Sequence, residues 1–123
     1  MDQATADKHR KWLHHQRHRW HELVLADPNL SGQGAALKLC GYILHRYMVE
    51  KSYAQFSIEK ASEELGVSVR QLRRAKKLLR DLYWIRVEHV GGDKGWKADR
   101  YRLGNGPEDR DFTAEVGVVD DTE

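Results

Sequence analysis

The spacing of hydrophobic positions changes along the chain, and the changes mark its elements. Residues 4–26 contain no Gly or Pro. Trp12, Leu13, Gln16, Trp20, Leu23 and Val24 recur there at three- and four-residue spacings, which predicts one amphipathic helix ending at Asp27-Pro28. Residues 28–34 form a breaker-rich linker. Over residues 35–50 the stripe Leu37, Cys40, Ile43, Leu44, Tyr47 and Met48 predicts a second helix with a buried face. Ser57 then precedes Ile58, Ala61 and Leu65. It suits an N-cap, Glu59 suits the positive end of the helix dipole, and Gly66 suits the left-handed residue beyond the helix. Ser68, with Gln71 three residues on, makes a capping box for the next helix, whose core stripe is Leu72, Ala75, Leu79 and Leu82 with Leu78 beside it.

After Trp84 the period falls to two. Ile85, Val87 and His89 alternate with Arg86, Glu88 and Val90, residues 91–95 form a turn-rich break, and residues 97–103 alternate again. Tyr101 and Leu103 fall on one face, Arg100 and Arg102 on the other. This pattern predicts a β-hairpin with a flexible tip. Beyond Gly104-Asn105-Gly106-Pro107 the chain is acidic and aperiodic, with residues 116–119 able to add a short strand or docking segment. The expected fold class is mainly α with a small β-hairpin (α+β), in three parts. Residues 1–30 hold the N-terminal helix, a candidate dimerisation element. Residues 31–103 hold three helices and the hairpin. Residues 104–123 make an acidic, disordered tail.

Composition narrows the function classes. The chain has 123 residues, 40% hydrophobic and 33% charged, which suits one domain with a modest core. Its longest apolar runs are too short to span a bilayer. Met1-Asp2-Gln3-Ala4 lacks the basic and apolar stretches of a secretory signal, which sets the expectation of a cytoplasmic protein. The single cysteine, Cys40, excludes an intramolecular disulfide and a Cys-based zinc cluster. Its place on an apolar stripe reads as a packing thiol. The formal net charge of +2 hides two unlike parts. Residues 1–103 carry 20 Lys and Arg against 12 acids, a formal +8, and residues 104–123 carry one Arg against seven acids, a formal −6. A basic body with an acidic tail points towards a polyanion partner, most often nucleic acid.

Two helices joined by a tight Gly-containing turn, the second of them basic, make the helix-turn-helix signature. The small Ala61 permits close approach of the helices, Gly66 the sharp turn, and Val67 and Leu72 seal the corner. Arg70, Arg73, Arg74 and Lys77 lie at i, i+3, i+4 and i+7, on one face opposite Leu72, Ala75 and Leu79, with no acid in residues 70–80. Such a stripe suits a helix in a phosphate-lined groove. Val69, Arg70, Gln71 and Arg73, in the first turn with Ser68, are candidates for base contact; Arg74, Lys77 and Arg80 suit phosphate.

The run from Ser57 to Leu79, followed by the hairpin, resembles the winged helix-turn-helix family, in its bacterial and phage regulator or replication-initiator subgroup. The resemblance covers residues 35–103. It rests on Ser57, Ile58, Ala61, Leu65, Gly66, Val67, Ser68, Arg70, Leu72, Arg74, Ala75 and Leu79. It implies a recognition helix over about residues 68–83 in the major groove and a wing over about residues 85–103 on the flanking backbone, with Lys94, Lys97 and Arg100 as wing contacts. Tyr83-Trp84 departs from the family pattern, which often has a small Gly before the first wing strand.

The resemblance and the charge pattern together imply a cytoplasmic, nucleoid-associated protein that binds specific double-stranded DNA, as a transcriptional regulator. Trp12, Leu13, Trp20 and Leu23 are the candidate dimer surface, because such regulators read paired half-sites. Two alternatives stay open: a phage or plasmid replication initiator or architectural or excision factor, and a protein-interaction module that uses the Trp-bearing helix. His14, His15, His18 and His21 crowd that helix, where they could bind zinc or nickel, or add positive charge below neutral pH. The latter is favoured, and no metal or other cofactor is expected. No nucleophile elbow, phosphate-cradling Gly loop or zinc-hydrolase motif occurs, so no enzymatic activity is expected.

Overall fold

Twenty-three residues without Gly or Pro run as one helix, α1 (Gln3–Leu25), in the computed structural model. The structure describes residues 3–90 and 98–110, without the side chains of residues 9, 10 and 13. Asp27 stops α1 and caps a single 3₁₀ turn (Pro28–Leu30) by accepting the Asn29 N–H at 2.9 Å. Then follow α2 (Gly34–Arg46), β1 (Ala54–Phe56), α3 (Ile58–Leu65), α4 (Val69–Asp81), β2 (Ile85–Glu88) and β3 (Asp99–Leu103). The architecture is α+β, with a three-stranded antiparallel sheet in the order β1-β3-β2. Among the described residues no helix is long and apolar enough to cross a membrane.

The structure departs from the sequence expectations in four places. First, α2 ends at Arg46, not residue 50. Tyr47 turns extended, and Met48 pairs across a tight turn with Tyr53, in which Ser52 takes φ 61 and donates its N–H to Met48 O. Tyr47 and Met48 therefore serve a chain reversal, and the buried face of α2 is Ala36, Leu39, Cys40, Tyr42 and Ile43. Second, that reversal delivers β1, which pairs with β3 in the register Ala54 to Tyr101 and Phe56 to Asp99. The hairpin is thus two strands of three. Third, the stripe on α1 divides: Trp20 and Val24 join the core, while Trp12 is 56% and Leu23 46% exposed. Leu13 lies on the helix, its side chain outside the described residues. Fourth, residues 104–110 belong to the body. Gly104 N–H donates to Trp84 O, Gly106 N–H donates to Tyr83 O, and residues 107–110 are helical. The rest of the acidic tail lies outside the described residues.

One core joins the helices to the sheet. Leu72, Ala75 and Leu79 of α4 meet Ala36, Leu39 and Ile43 of α2, and Phe56 stacks on Tyr101 at 4.3 Å between ring centroids. Burial pushes the Cys40 thiol up to about 12, which keeps it protonated and inert. The C-terminal half of α1 is fastened by a relay. Trp20 Nε1–H donates to Trp84 O at 3.0 Å, and Trp84 Nε1–H donates to the buried Asp27 Oδ2 at 2.7 Å.

Candidate nucleic-acid interface

The corner between α3 and α4 is built as its residues dictate. Ser57 Oγ accepts the Lys60 N–H at 3.1 Å and starts α3. Gly66, at φ 67, ends it in the left-handed region where a Cβ is costly. Val67 is buried, and Ser62 Oγ–H donates to its carbonyl at 2.6 Å, a tie across the turn that the sequence pattern does not announce. Ser68 Oγ accepts the Gln71 N–H at 3.1 Å and caps α4. The reciprocal half of the capping box differs: Gln71 Oε1 accepts from the Ser68 hydroxyl at 3.2 Å. α4 stops at Asp81, with Leu82 as its C-cap, two residues short of the span expected.

With Leu72, Ala75 and Leu79 buried, α4 turns Arg70, Gln71, Arg73, Arg74 and Lys77 to solvent. Arg70 and Arg74 have no ion-pair partner among the described residues. Arg73 meets Glu59 of α3 at 3.2 Å, and Lys77 meets Asp81 at 2.9 Å. All four of those side chains are more than half exposed, so each pair contributes roughly 0–1 kcal/mol and yields readily to a phosphate. Ser68 is exposed and Val69 half-buried at the start of the helix. Arg80 is half-buried.

Lys76 behaves differently from its neighbours. Its ammonium lies 2.8 Å from Asp99 Oδ2 at the start of β3 and 5.4 Å from the Tyr101 ring centroid, with 18% of the side chain exposed. Burial by itself would raise the Asp99 carboxyl, but Lys76 and, more weakly, His89 hold it below its ordinary value. This contact fixes the hairpin against α4, and it removes Lys76 from the cationic face.

Of the three expected wing cations, Lys94 and Lys97 lie outside the described residues. Arg100 is described, and it is a packed group. Its guanidinium sits 4.7 Å from the Tyr53 ring centroid, and its buried Nε has no partner among the described residues. Asp99 and Tyr101 point towards α4, so alternation puts Arg100 on the other sheet face with Arg102, which meets Glu88 at 3.2 Å. Arg100 is therefore not brought together with the cations of α4.

The bulky junction has a structural use. Tyr83 adopts φ 66, the left-handed geometry that a Gly would take at no cost. That bend carries Trp84 into the core, where its indole holds Asp27 and its carbonyl holds Trp20 and Gly104. No group of three or more His, Cys, Asp or Glu among the described residues is placed to hold a metal. In comparisons with known proteins the chain matches no protein-family model, no curated protein and no solved structure.

Proposed function

We propose that the chain is a sequence-specific double-stranded DNA-binding protein of winged helix-turn-helix type, acting as a transcriptional regulator. The observation that carries this reading is the face of α4: Arg70, Arg73, Arg74 and Lys77 are exposed together at the corner of two packed helices, behind a capped and buried reverse side. A helix held this way enters a major groove with its first turn, so Arg70, Gln71 and Arg73 read base edges while Arg74 and Lys77 grip phosphate. The pairing of β2 with β3 supports the same reading, with Lys76 of α4 bonded to Asp99 at the start of β3. A nucleoid-associated, cytoplasmic location follows from that partner. Reading paired half-sites calls for a homodimer, and the exposed Trp12 and Leu23 offer an apolar edge for the second copy.

Gel shifts on a panel of duplexes test the division of labour. Arg70→Ala should cost roughly 1–3 kcal/mol on the preferred sequence and relax preference at one position. Lys77→Ala should weaken all sequences alike and lower the salt slope by about 1. Equal losses on all sequences for both variants would contradict base reading by Arg70.

A further inference from the structure

The N-terminal helix carries a second concentration of positive groups that the proposed DNA contact leaves unused. Between Asp7 and Glu22 it holds five Lys or Arg, five His and no acid. His14, Arg17, His18 and His21 share one face of α1 by their three- and four-residue spacing. That face lies beside Gly41 and His45 of α2, and together they line a surface groove of about 340 Å³. No acid lines it. The groove is open at Gly41, where an added Cβ would meet no heavy atom within 4 Å.

Arg17 is the permanent cation among the described residues that line the groove. Arg17 is always a donor, and its Nη2 lies 2.9 Å from His14 Nδ1. His14 Nδ1 is therefore the acceptor, and Nε2 carries the ring proton. On the α2 side, Lys38 borders the adjoining hollow with His45. The acid there, Glu64, is already engaged by Tyr42 at 2.7 Å and Arg46 at 2.8 Å. A bound metal fits this set poorly, since a guanidinium stands among the imidazoles.

The groove shares no lining residue with the cleft beside α4. Ala36 borders the cleft shared with Gln71 and Arg74, whereas Gly41 borders the α1 groove. Those two positions are five residues apart, about 140° around the helix.

We propose that the α1–α2 groove is a second phosphate-binding site, which takes the backbone of a second DNA duplex so that one chain bridges two segments. The proposal rests on the DNA-binding reading of α4 for the first duplex only.

The test is a capture assay with the full chain. Protein is loaded onto an immobilised duplex, and a labelled duplex of unrelated sequence is then added. The labelled duplex should be captured, and the capture should weaken as salt is raised. Capture should fall roughly tenfold in His18→Ala/His45→Ala and in Gly41→Glu, with loading on the immobilised duplex unchanged. Gly41→Glu introduces a carboxylate at an open helical position and improves helix propensity, so it preserves the fold. The groove assignment is overturned if both variants capture as well as the wild type. It is also overturned if loaded wild-type protein captures nothing, or captures labelled single-stranded RNA in place of the duplex. The two readings fail separately: Arg70→Ala/Arg73→Ala/Arg74→Ala abolishes loading if α4 is the primary contact. If the groove variants abolish loading instead, the α4 reading fails and the groove stands.

Discussion

At the scale of the residue, Asp27 is the only charged side chain among the described residues that is buried, and its partners explain its tolerance. Burial by itself would raise its pKa, but the N–H donors of Trp84 and Asn29 and the charge of Arg110 hold the carboxyl below its ordinary value. Asp27→Asn keeps the shape and loses the charge-assisted acceptor, so it should cost about 1–3 kcal/mol in urea unfolding; an unchanged midpoint would remove the relay from the list of stabilising contacts. Gly106 is as restrictive. It sits at φ 59, and a Cβ there would lie 2.6 Å from the Trp84 ring, so Gly106→Ala should destabilise by roughly 1–3 kcal/mol. Glu64 sets an acid limit. Hydrogen bonds from Arg46 and Tyr42 lower its pKa from 4.5 to about 2. A folded pKa below the unfolded one gives stability that is complete above about pH 4.5 and lost as the pH falls towards about 2. Urea midpoints should fall over that interval, and Glu64→Gln should flatten the fall. An identical acid profile in the variant would show that this cluster contributes nothing to the pH dependence.

At the scale of the element, the two tryptophans of α1 have opposite roles. Trp20→Ala empties a core site and breaks the bond to Trp84 O, so it should cost about 3–5 kcal/mol. Deleting the whole helix would therefore unfold the body and says nothing about self-association. The informative variant is Trp12→Ala/Leu23→Ala, which leaves the core intact. Sedimentation should show a wild-type dimer and a folded, monomeric variant; a wild-type monomer would exclude the dimer. The stripe from Trp12 to Val24 made α1 legible in the sequence, but it did not separate the buried half from the exposed one, because that depends on Trp84, 64 residues beyond Trp20. The α3–α4 corner was legible because its signals are local: Ser57, Gly66 and Ser68 each act within four residues. The end of α2 was not, since Tyr47 and Met48 continue the helical spacing and only the pairing of Met48 with Tyr53 overrules it. β1 is three residues long, too short for a period of two to register. The tie from Lys76 to the sheet was not legible, because its partner, Asp99, lies 23 residues away.

At the scale of the whole molecule, the formal +8 of residues 1–103 is distributed over separate surfaces. The face of α4 holds Arg70, Arg73, Arg74 and Lys77. The outer sheet face holds Arg100 and Arg102 around Tyr53, and the α1–α2 groove holds Arg17 and the histidines. Lys76 and Arg46 are spent on tying elements together. A polyanion that meets the first surface gains phosphate contacts without dismantling the fold, since the ion pairs there are exposed and weak. The most direct measurement is the salt dependence of duplex binding by the wild type and by Arg70→Ala/Arg73→Ala/Arg74→Ala, its folding checked by circular dichroism, on a sequence selected from a random DNA pool. The wild type should bind with an affinity that falls steeply with salt, and the folded triple variant should lose specific binding and about 1 from the salt slope, the share of its phosphate-gripping Arg74. Undiminished binding by the folded triple variant would contradict α4 as the DNA-reading element.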